Sequence, residues 1–545
     1  MVINLFFVFV SSLVICMGLI PFLIKGAAYF NVLDLPGGRK MHAAPIARVG
    51  GIAFAAGALA SILIWVPVDR IIFAYLGGAA IIIFFGVMDD RINLDFKLKL
   101  LAQLIAATFV IGVGEIRLST LPFLEETLLP IWLGLPLTIF LLVGVTNAIN
   151  LSDGLDGLAG GLSLLSLGGM AYLAFLSDDA LVLSISLSVM GGILGFLRFN
   201  TYPARIFMGD GGSQFLGFSV GVAAILLTDP GRGGYSPLAV LMIIGLPILD
   251  TISVMGQRRV EGRSLFSADR NHLHHKLLTI GFFHHEAVTL IYGFQAVMVS
   301  LAVLFYWRGE GEIAIALTLL TLLFFSLIVL AGRGRLKFRR IDREEPFANA
   351  PILKEQESRP LNDLPTHLLG IGISLFLIVS AFIPRHVPID FGLMAIALFG
   401  LLLVGLWFFQ RSAPLLVRLG LYVGGTFVVY LSEGAPPAGG WPIHTILNLF
   451  FVFAAVMVFV SIQLNREKPF QTTPLDYLVL FVSLVAPALP GMRIGEVPIG
   501  LMGGKLIVLF FAYELLLSRL SARLTQWGLV ALWALLVLGV RAWMV

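Results

Sequence analysis

The sequence predicts an all-α integral membrane protein that crosses the bilayer many times. Hydrophobic residues make up 58% of its 545 residues and charged residues 12%, and the mean hydropathy is +0.97. A soluble globular protein carries about twice that charged fraction. Repeated apolar runs of roughly 18 to 25 residues match the length at which a helix spans a hydrocarbon core of ~30 Å. The composition therefore excludes a soluble globular protein, and we expect no nucleic-acid partner.

Apolar runs predict eleven spans in the first part of the chain and about seven in the last part. The first set is 3–24, 49–66, 71–88, 97–114, 128–147, 156–176, 180–197, 211–228, 236–255, 287–306 and 312–332. The second set is 367–383, 390–409, 415–431, 443–463, 474–490, 497–517 and 524–543. Cys16 is the only cysteine, so an intramolecular disulfide is excluded.

Positive charge alternates along the loops of the first part. Nineteen Lys and Arg residues lie in the loops 25–48, 89–99, 198–210, 256–286 and 333–340. Four lie in the loops 67–70, 115–127, 177–179, 229–235 and 307–311. The positive-inside rule predicts that the first set is cytoplasmic and that the N-terminus faces outward.

A charged stretch without periodicity separates the two parts. It predicts a cytoplasmic linker at 336–364, between a membrane core at 1–335 and an additional transmembrane domain of unknown role at 365–545. The sequence shows no convincing repeat between the two parts. In the last part, Lys505 and Glu514 lie nine residues apart on one span, which puts them on roughly opposite faces and argues against their pairing.

The stretch NAINLSDGLDGLA, from Asn147 to Ala159, ends one apolar run and opens the next. Its polar side chains are Asn147, Asn150, Asp153 and Asp156. Ionisable side chains at a membrane edge are costly and indicate a functional site. Asp153 and Asp156 are three residues apart, so on a helix they share a face and suit its positive N-terminal end. The alternative is simple helix capping by an Asn/Asp/Gly-rich turn.

Three further acidic residues lie at span ends. Asp89 and Asp90 end an apolar run before Arg91, and adjacent carboxylates repel each other unless a cation or a proton compensates them. Mg²⁺ takes carboxylate oxygens and keeps positions open for phosphate. A solvated helix end paired with Arg91 is the alternative. Asp210 lies in a Gly-Asp-Gly-Gly turn before a span, where helix-start amides favour phosphate.

The segment before Asp210 holds two more candidates. Phe207 suits stacking on a flat base, and ordinary anchoring at the membrane interface is the alternative. Asn200 is a candidate ligand, and a turn former is the alternative.

Two basic loops complete the inventory. The longer one holds Arg258, Arg259, Arg263, Asp269, Arg270, His272, His274, His275 and Lys276. Three His in four residues suggest zinc, but the lack of nearby cysteine and the many cations favour phosphate binding or positioning. A solvated basic loop that meets anionic lipid is the alternative. The shorter loop holds Arg39, Lys40, His42 and Arg48, and it predicts a clamp for an anionic headgroup or a positive-inside anchor.

The combined inventory indicates phosphoryl transfer onto a lipid acceptor. Acids that hold Mg²⁺, cations that hold phosphates and an aromatic platform all lie on the predicted cytoplasmic side. A transporter or flippase for an anionic lipid-linked sugar is the competing hypothesis. It predicts ionisable residues near the midplane and internal repeats, and the first eleven spans show neither clearly.

These motifs resemble those of the polyprenyl-phosphate N-acetylhexosamine-1-phosphate transferase superfamily, of glycosyltransferase family 4 type. The matching pieces are D-x-P-x-x-R-K-x-H at 34–42 with GG at 50–51, Asp89-Asp90, NAxNLxDGLDGLA at 147–159, N-x-x-P-A-x-I-F-M-G-D-x-G-S at 200–213 and the His-rich loop at 272–275. The resemblance covers about residues 1–335. It implies transfer of a sugar 1-phosphate from a UDP-sugar to undecaprenyl phosphate with release of UMP, by direct attack or through a covalent aspartyl intermediate.

The resemblance also implies roles for individual residues. Asp210 is the expected Mg²⁺ ligand, with Asp90 assisting and Mn²⁺ as an alternative metal, and Asp89 and Asp90 are expected to be catalytic. The expected substrate-binding residues are Lys40, Asn147, Asn150, Asp153, Gly154, Leu155, Asp156, Asn200, Phe207 and Arg263. Among them, the Asp153–Asp156 turn and Asn200 contact the uridine and Phe207 stacks on uracil. The loop of His272, His274 and His275 is expected to bind phosphates and to take part in catalysis.

Leu273 interrupts the histidines, which is similar to the N-acetylglucosamine branch. The muramoyl-pentapeptide branch of peptidoglycan synthesis, an alternative function, has three consecutive His. The resemblance therefore implies N-acetylglucosamine 1-phosphate as the transferred group, with N-acetylgalactosamine or a deoxy sugar left open. It further implies initiation of a cell-surface polysaccharide such as the O-antigen of lipopolysaccharide, at the cytoplasmic face of a bacterial inner membrane. A homodimer is a further expectation.

Overall fold

The structure of the protein is a computed structural model. It describes residues 2–29, 32–34, 45–124, 128–264, 271–332, 360–384, 386–408, 413–433, 443–464, 493–494, 497–519 and 523–544. Within these ranges there are nineteen helices, and twelve of them are long and apolar enough to span a membrane. A bent helix pair raises that number to thirteen. The predicted all-α polytopic fold is confirmed.

Contacts divide the described residues into two units, one up to Gly332 and one from Pro360 onward. The helices of the first unit are α1 (Val2–Ala27), α2 (Gly50–Trp65), α3 (Arg70–Ile92), α4 (Phe96–Gly114), α5 (Ile131–Leu151), α6 (Leu158–Leu176), α7 (Ala180–Asn200), α8 (Gly209–Thr228), α9 (Pro237–Ile243), α10 (Gly245–Val260), α11 (Leu273–Thr279), α12 (His284–Phe305) and α13 (Glu310–Gly332). Two short antiparallel strands, β1 (Leu33–Asp34) and β2 (Ile46–Ala47), lie between α1 and α2.

The predicted span at 236–255 is wrong in one respect, because α9 and α10 form a pair bent by 79°. Pro247 has no backbone N–H, so it cannot donate to the carbonyl of Ile243 four residues earlier, and the helix breaks there. That carbonyl instead accepts hydrogen bonds from Ser166 Oγ at 3.0 Å and Gln295 Nε2 at 2.6 Å. The break is therefore stabilised by side chains of α6 and α12.

α8 is the central helix of the first unit. Every residue of α8 from Gly211 to Thr228 is buried. Glycines bring neighbouring backbones close to its first turn. A Cβ on Gly51 of α2 would lie 2.4 Å from Gly212 Cα, and one on Gly86 of α3 would lie 2.3 Å from Gly211 Cα. Larger side chains at these positions would push the first turn of α8 out of place.

The described residues of the second unit form six helices and a two-stranded sheet. They are α14 (Pro360–Ser380), α15 (Ile389–Phe408), α16 (Ala413–Glu433), α17 (Ile443–Leu464), β3 (Arg493–Ile494), β4 (Val497–Pro498), α18 (Ile499–Arg519) and α19 (Leu524–Arg541). The span predicted at 474–490 lies outside the described residues. The linker predicted at 336–364 also lies outside them, except for 360–364, which begin α14.

Lys505 and Glu514, both on α18, have different partners on α16. Lys505 Nζ pairs with Glu433 Oε1, and both side chains are about 5% exposed. Glu514 accepts a hydrogen bond from the Tyr422 hydroxyl and lies 3.6 Å from Arg418 Nη2. The prediction that Lys505 and Glu514 do not pair is confirmed.

Candidate active site

Six helix ends meet at one end of the first unit, which we call the polar end. Helices α3, α5 and α7 end there, and α4, α6 and α8 begin there. Consecutive helices run in opposite directions, so motifs that are far apart in sequence come together. The acidic positions predicted from the sequence, Asp89, Asp90, Asp153, Asp156 and Asp210, lie at these helix ends or in the connecting turns.

An ion-pair network joins α3, α4 and α8 at the polar end. The ammonium of Lys99 pairs with Asp89 Oδ2 and lies 3.0 Å from Asp210 Oδ2. Asp89 is only 2% exposed, and its other oxygen accepts a 2.8 Å hydrogen bond from Leu94 N. Asp89 is therefore enclosed by protein atoms, and its catalytic role stays a prediction.

Asp90 caps the start of α8. Its two carboxylate oxygens accept hydrogen bonds from the backbone N–H groups of Asp210 at 2.9 Å and Gly211 at 3.1 Å. A carboxylate is favoured there because the first amides of a helix carry partial positive charge. Gly209 has φ +74°, and a Cβ on it would lie 2.4 Å from Asp90 Oδ2. The Gly-Asp-Gly-Gly turn therefore needs glycine before the aspartate.

Asp210 presents its carboxylate at the polar end, where its side chain is 40% exposed. Asn150 Nδ2 donates to Asp210 Oδ1 at 3.3 Å and to Ser213 Oγ at 2.7 Å. Asn147 donates to Gln103 Oε1 at 2.7 Å, and Gln103 donates to Gln214 at 3.1 Å. The amides predicted from the sequence thus orient the start of α8 against α4 and α5.

The turn between α5 and α6 carries Asp153 and Asp156. Asp153 is exposed to solvent at the polar end. Asp156 is anchored more firmly. Its Oδ2 accepts from Ala204 N at 2.9 Å, and its backbone N–H donates to His284 Nε2 at 3.1 Å.

Asn200 has a structural position in this turn. It is 3% exposed, its Oδ1 accepts from Gly157 N at 2.9 Å, and its Nδ2 donates to Ile206 O at 2.8 Å. These two bonds to backbone hold the turn, and because each end of the amide can make a second hydrogen bond, a nucleotide contact by Asn200 stays a prediction. Phe207 is half-buried, and its backbone bonds to Ala47 and Gly50. Its stacking on uracil stays a prediction.

The histidines of the 272–275 loop separate into different environments. His272 Nδ1 lies 2.9 Å from Asp250 Oδ2, and both residues are buried. Desolvation, with the neighbouring histidines adding to it, lowers the pKa of His274 to about 3. His275 is half-buried beside His274, with ring centroids 4.2 Å apart. Phosphate binding and catalysis by these histidines stay predictions.

Three further residues were predicted to bind substrate: Lys40, Arg263 and Leu155. Lys40 lies outside the described residues. Its loop is flanked by Asp34 and Arg48, whose Oδ1 and Nη2 atoms form an ion pair at 2.5 Å. Arg263 is exposed, and its Nη1 lies 3.3 Å from Glu261 Oε2. Leu155, in the turn, is buried. Phosphate or nucleotide contacts by these residues stay predictions.

Replacement of Gly154 by alanine is expected to disturb the contact between the turn that joins α5 to α6 and the start of α11. A Cβ on Gly154 would lie 2.1 Å from Nε2 of His274, whose side chain is buried. Overpacking of this kind costs about 1–3 kcal/mol. We expect the rate of product formation to fall roughly 10-fold or more. Gly144→Ala on α5 is the matched control, since no atom lies within 4 Å of its Cβ position. Equal rates for both variants would contradict a role for this contact.

The donor atoms at the polar end fit Mg²⁺, the metal implied by the resemblance. Mg²⁺ prefers oxygen ligands and is commonly held by one or two carboxylates together with substrate phosphates. Asp210 offers a partly exposed carboxylate, and Asp90 lies against the same turn with its lone pairs only partly used by amides. Asp210 is accordingly the best-placed ligand of the two.

Some residues of the site were not singled out by their sequence patterns. Lys99, Gln103 and Gln214 lie on apolar helices, and Asp250 lies within a run that was assigned to a span. A signal was present in each case, because a charged or amide side chain inside an apolar helix needs a partner. Lys99 and Gln103 are also four residues apart, which places them on one helix face.

The fold and the polar end together define a polytopic membrane protein with a charged site at one end of its helices. The sequence profile described as glycosyl transferase family 4 matches residues 72–228, which include Asp89, Asp153 and Asp210. A probable undecaprenyl-phosphate N-acetylglucosaminyl 1-phosphate transferase of Bacillus subtilis is 37% identical over 286 residues, 52% of this chain and 80% of the relative.

Two other relatives give the same picture. An undecaprenyl-phosphate alpha-N-acetylglucosaminyl 1-phosphate transferase of Escherichia coli K12 is 31% identical over 55% of this chain and 84% of its own length. A decaprenyl-phosphate N-acetylglucosaminephosphotransferase of Mycolicibacterium smegmatis is 31% identical over 56% and 84%. The chain therefore belongs to glycosyl transferase family 4, and the resemblance stated from the motifs is confirmed.

Proposed function

We propose that the protein transfers N-acetylglucosamine 1-phosphate from UDP-N-acetylglucosamine to undecaprenyl phosphate. A phosphate oxygen of the lipid forms a new bond to the sugar-bearing phosphorus, and the bond from that phosphorus to UMP breaks. The products are a lipid-linked pyrophosphate sugar and UMP. The single observation that carries the proposal is the Asp89–Lys99–Asp210 network at the polar end of a family member.

The charges at the polar end suit this reaction. Asp210, with Asp90 beside it, would hold Mg²⁺, which when bound neutralises pyrophosphate charge and stabilises the leaving phosphate of UMP. Lys99 places an ammonium between Asp89 and Asp210, where it attracts a phosphate oxygen. Among the described carboxylates of the network and its adjoining turn, Asp153 and Asp210 are the most open to a substrate.

The location and the pathway are parts of the same proposal. The basic loops and the polar end lie on the side that the positive-inside rule assigns to the cytoplasm, where UDP-sugars are made. We place the protein in a bacterial inner membrane, with its N-terminus outside. The single-residue interruption of the histidines by Leu273 favours a N-acetylglucosamine donor and a cell-surface polysaccharide product over the muramoyl-pentapeptide alternative.

Release of UMP by the purified full-length protein tests the proposal. With Mg²⁺ and undecaprenyl phosphate, we expect UMP from UDP-N-acetylglucosamine at least about 10-fold faster than from UDP-glucose, since a site that hydrogen-bonds an amide rejects an analogue without it. A chelator should stop the reaction, and Mg²⁺ or Mn²⁺ should restore it. The control omits undecaprenyl phosphate. Failure of every UDP-N-acetylhexosamine to yield UMP would refute the function, and a faster reaction with UDP-muramoyl-pentapeptide would favour the alternative.

A further inference from the structure

A buried carboxylate on α10 holds the start of α11. Asp250 is 6% exposed and lies in the second turn of α10, after the break between α9 and α10. Its Oδ1 accepts a 2.8 Å hydrogen bond from Leu273 N, the first residue of α11. Its Oδ2 lies 2.9 Å from Nδ1 of His272. One carboxylate therefore fixes both a backbone end and an imidazole ring.

The chemistry of this contact determines the tautomer of His272. An ionised carboxylate only accepts hydrogen bonds, so Nδ1 of His272 must carry the proton that it donates to Asp250. Nε2 is then the ring nitrogen that remains for another group. The ring plane is also set, because the His272 and His274 rings are nearly parallel at 8°, with centroids 5.8 Å apart.

The first turn of α11 lies against the turn that carries Asp153. His274 Nε2 would be 2.1 Å from a Cβ on Gly154, so ring and backbone are in close contact. Asp250 and His274 also line one small cavity, together with Ser152, Leu158, Leu246 and Leu273. Displacement of α11 would therefore shift residues 152–154, which lie next to the charged network.

We propose that Asp250 is a positioning residue for the transferase reaction. It fixes the His272 tautomer and holds α11 against the Asp153 turn, and so acts through these two elements. This inference rests on the proposed function and extends it, because the motifs and the family resemblance assign no role to Asp250. In other carboxylate–histidine pairs, loss of the carboxylate lowers activity or ligand affinity on the order of 10- to 100-fold or more.

Asp250→Asn is the decisive variant, since the amide keeps an oxygen for Leu273 N and places a donor against Nδ1 of His272. In full-length protein, we expect kcat for UMP release to fall at least about 10-fold with KM for the UDP-sugar changed less than about threefold. In a protein that already carries His272→Ala, Asp250→Asn should lower kcat by a further factor of less than about two. The histidine through which Asp250 acts is then already absent. An equal loss in both backgrounds would overturn the assignment, since it would indicate packing alone.

Asp179→Asn is the matched control. Asp179 is also buried and caps a helix, accepting from Leu181 N and Val182 N, but it lies at the opposite end of the bundle. We expect the kcat of this variant to stay within about twofold of that of the unsubstituted protein, because distant sites act independently of each other. A loss in kcat as large as that of Asp250→Asn would overturn the inference by showing a general effect of removing a capping carboxylate.

Hydrogen exchange gives a readout that does not depend on turnover. Asp250→Ala removes the acceptor for Leu273 N, so amides of the peptide 271–280 should exchange about 10-fold faster, whereas Asp179→Ala should leave that peptide unchanged. Unchanged exchange in Asp250→Ala would overturn the inference even in an active enzyme. If the unsubstituted protein released no UMP, the proposed function would fail, and the exchange result would still decide whether Asp250 holds α11.

Discussion

Asp210→Asn is expected to lower kcat/KM for UMP release by about 10³-fold or more. The substitution removes the charge that would hold Mg²⁺. It also places a donor against a donor, because one oxygen of Asp210 faces the Lys99 ammonium and the other faces the Asn150 amide. Whichever way the new amide is oriented, one of these contacts becomes repulsive. Steady-state UMP release at saturating lipid measures the effect.

The control for this prediction is Asp229→Asn. Asp229 lies just beyond the other end of α8, where it accepts a hydrogen bond from Gly231 N in an exposed turn. The activity of Asp229→Asn should stay within about twofold of that of the unsubstituted protein, because the substitution lies at the surface. Retention of more than a tenth of the activity by Asp210→Asn would remove Asp210 from the metal site.

Lys505→Met is expected to give the largest loss of stability in the second unit. The Lys505–Glu433 pair is almost fully buried, so the substitution leaves a carboxylate in the interior of a membrane bundle without its partner. Breaking a buried pair on one side costs about 3–5 kcal/mol, whereas replacing both partners is often nearly neutral. The double variant Lys505→Met/Glu433→Gln should therefore regain most of the lost stability. Unfolding by denaturant in detergent micelles, followed by tryptophan fluorescence, measures both.

Glu312→Gln provides the comparison for an exposed pair. Glu312 lies 3.6 Å from Arg308 on the surface of the first unit, and both side chains are about half exposed. Its loss should change the free energy of unfolding by less than about 0.5 kcal/mol. If Lys505→Met were equally mild, the buried pair would not stabilise the second unit.

The helices of the first unit followed closely from the sequence because apolar length is a local property. Apolar length predicted ten of the eleven spans of the first unit as single helices. The break at Ile244 was missed because it depends on Ser166 and Gln295, which supply donors to a freed carbonyl from distant helices. Partners of this kind are set by packing and leave no periodic signal around Pro247.

The sequence predicted the acidic residues of the site but did not predict Lys99, which pairs with two of them. Asp89 and Asp210 stand out because carboxylates at span ends are rare, whereas Lys99 resembles any basic residue near a membrane edge. At Asn200 the sequence suggested a ligand, and the structure adds that both ends of its amide bond to backbone. A motif records that a residue is needed and does not distinguish a substrate contact from support of a turn.

The cap formed by Asp90 has a consequence for the thermodynamics of binding. Its carboxylate holds two successive amides of α8, and Gly209 closes the turn in a conformation that leaves no room for a side chain. Asp210 is thereby held close to one orientation before any ligand arrives. In the proposed reaction, little conformational entropy would then be lost on binding of a metal–nucleotide complex, and little reorganisation energy would be needed as charge shifts toward the leaving group. The rigidity of one turn can thus contribute to affinity and to rate together.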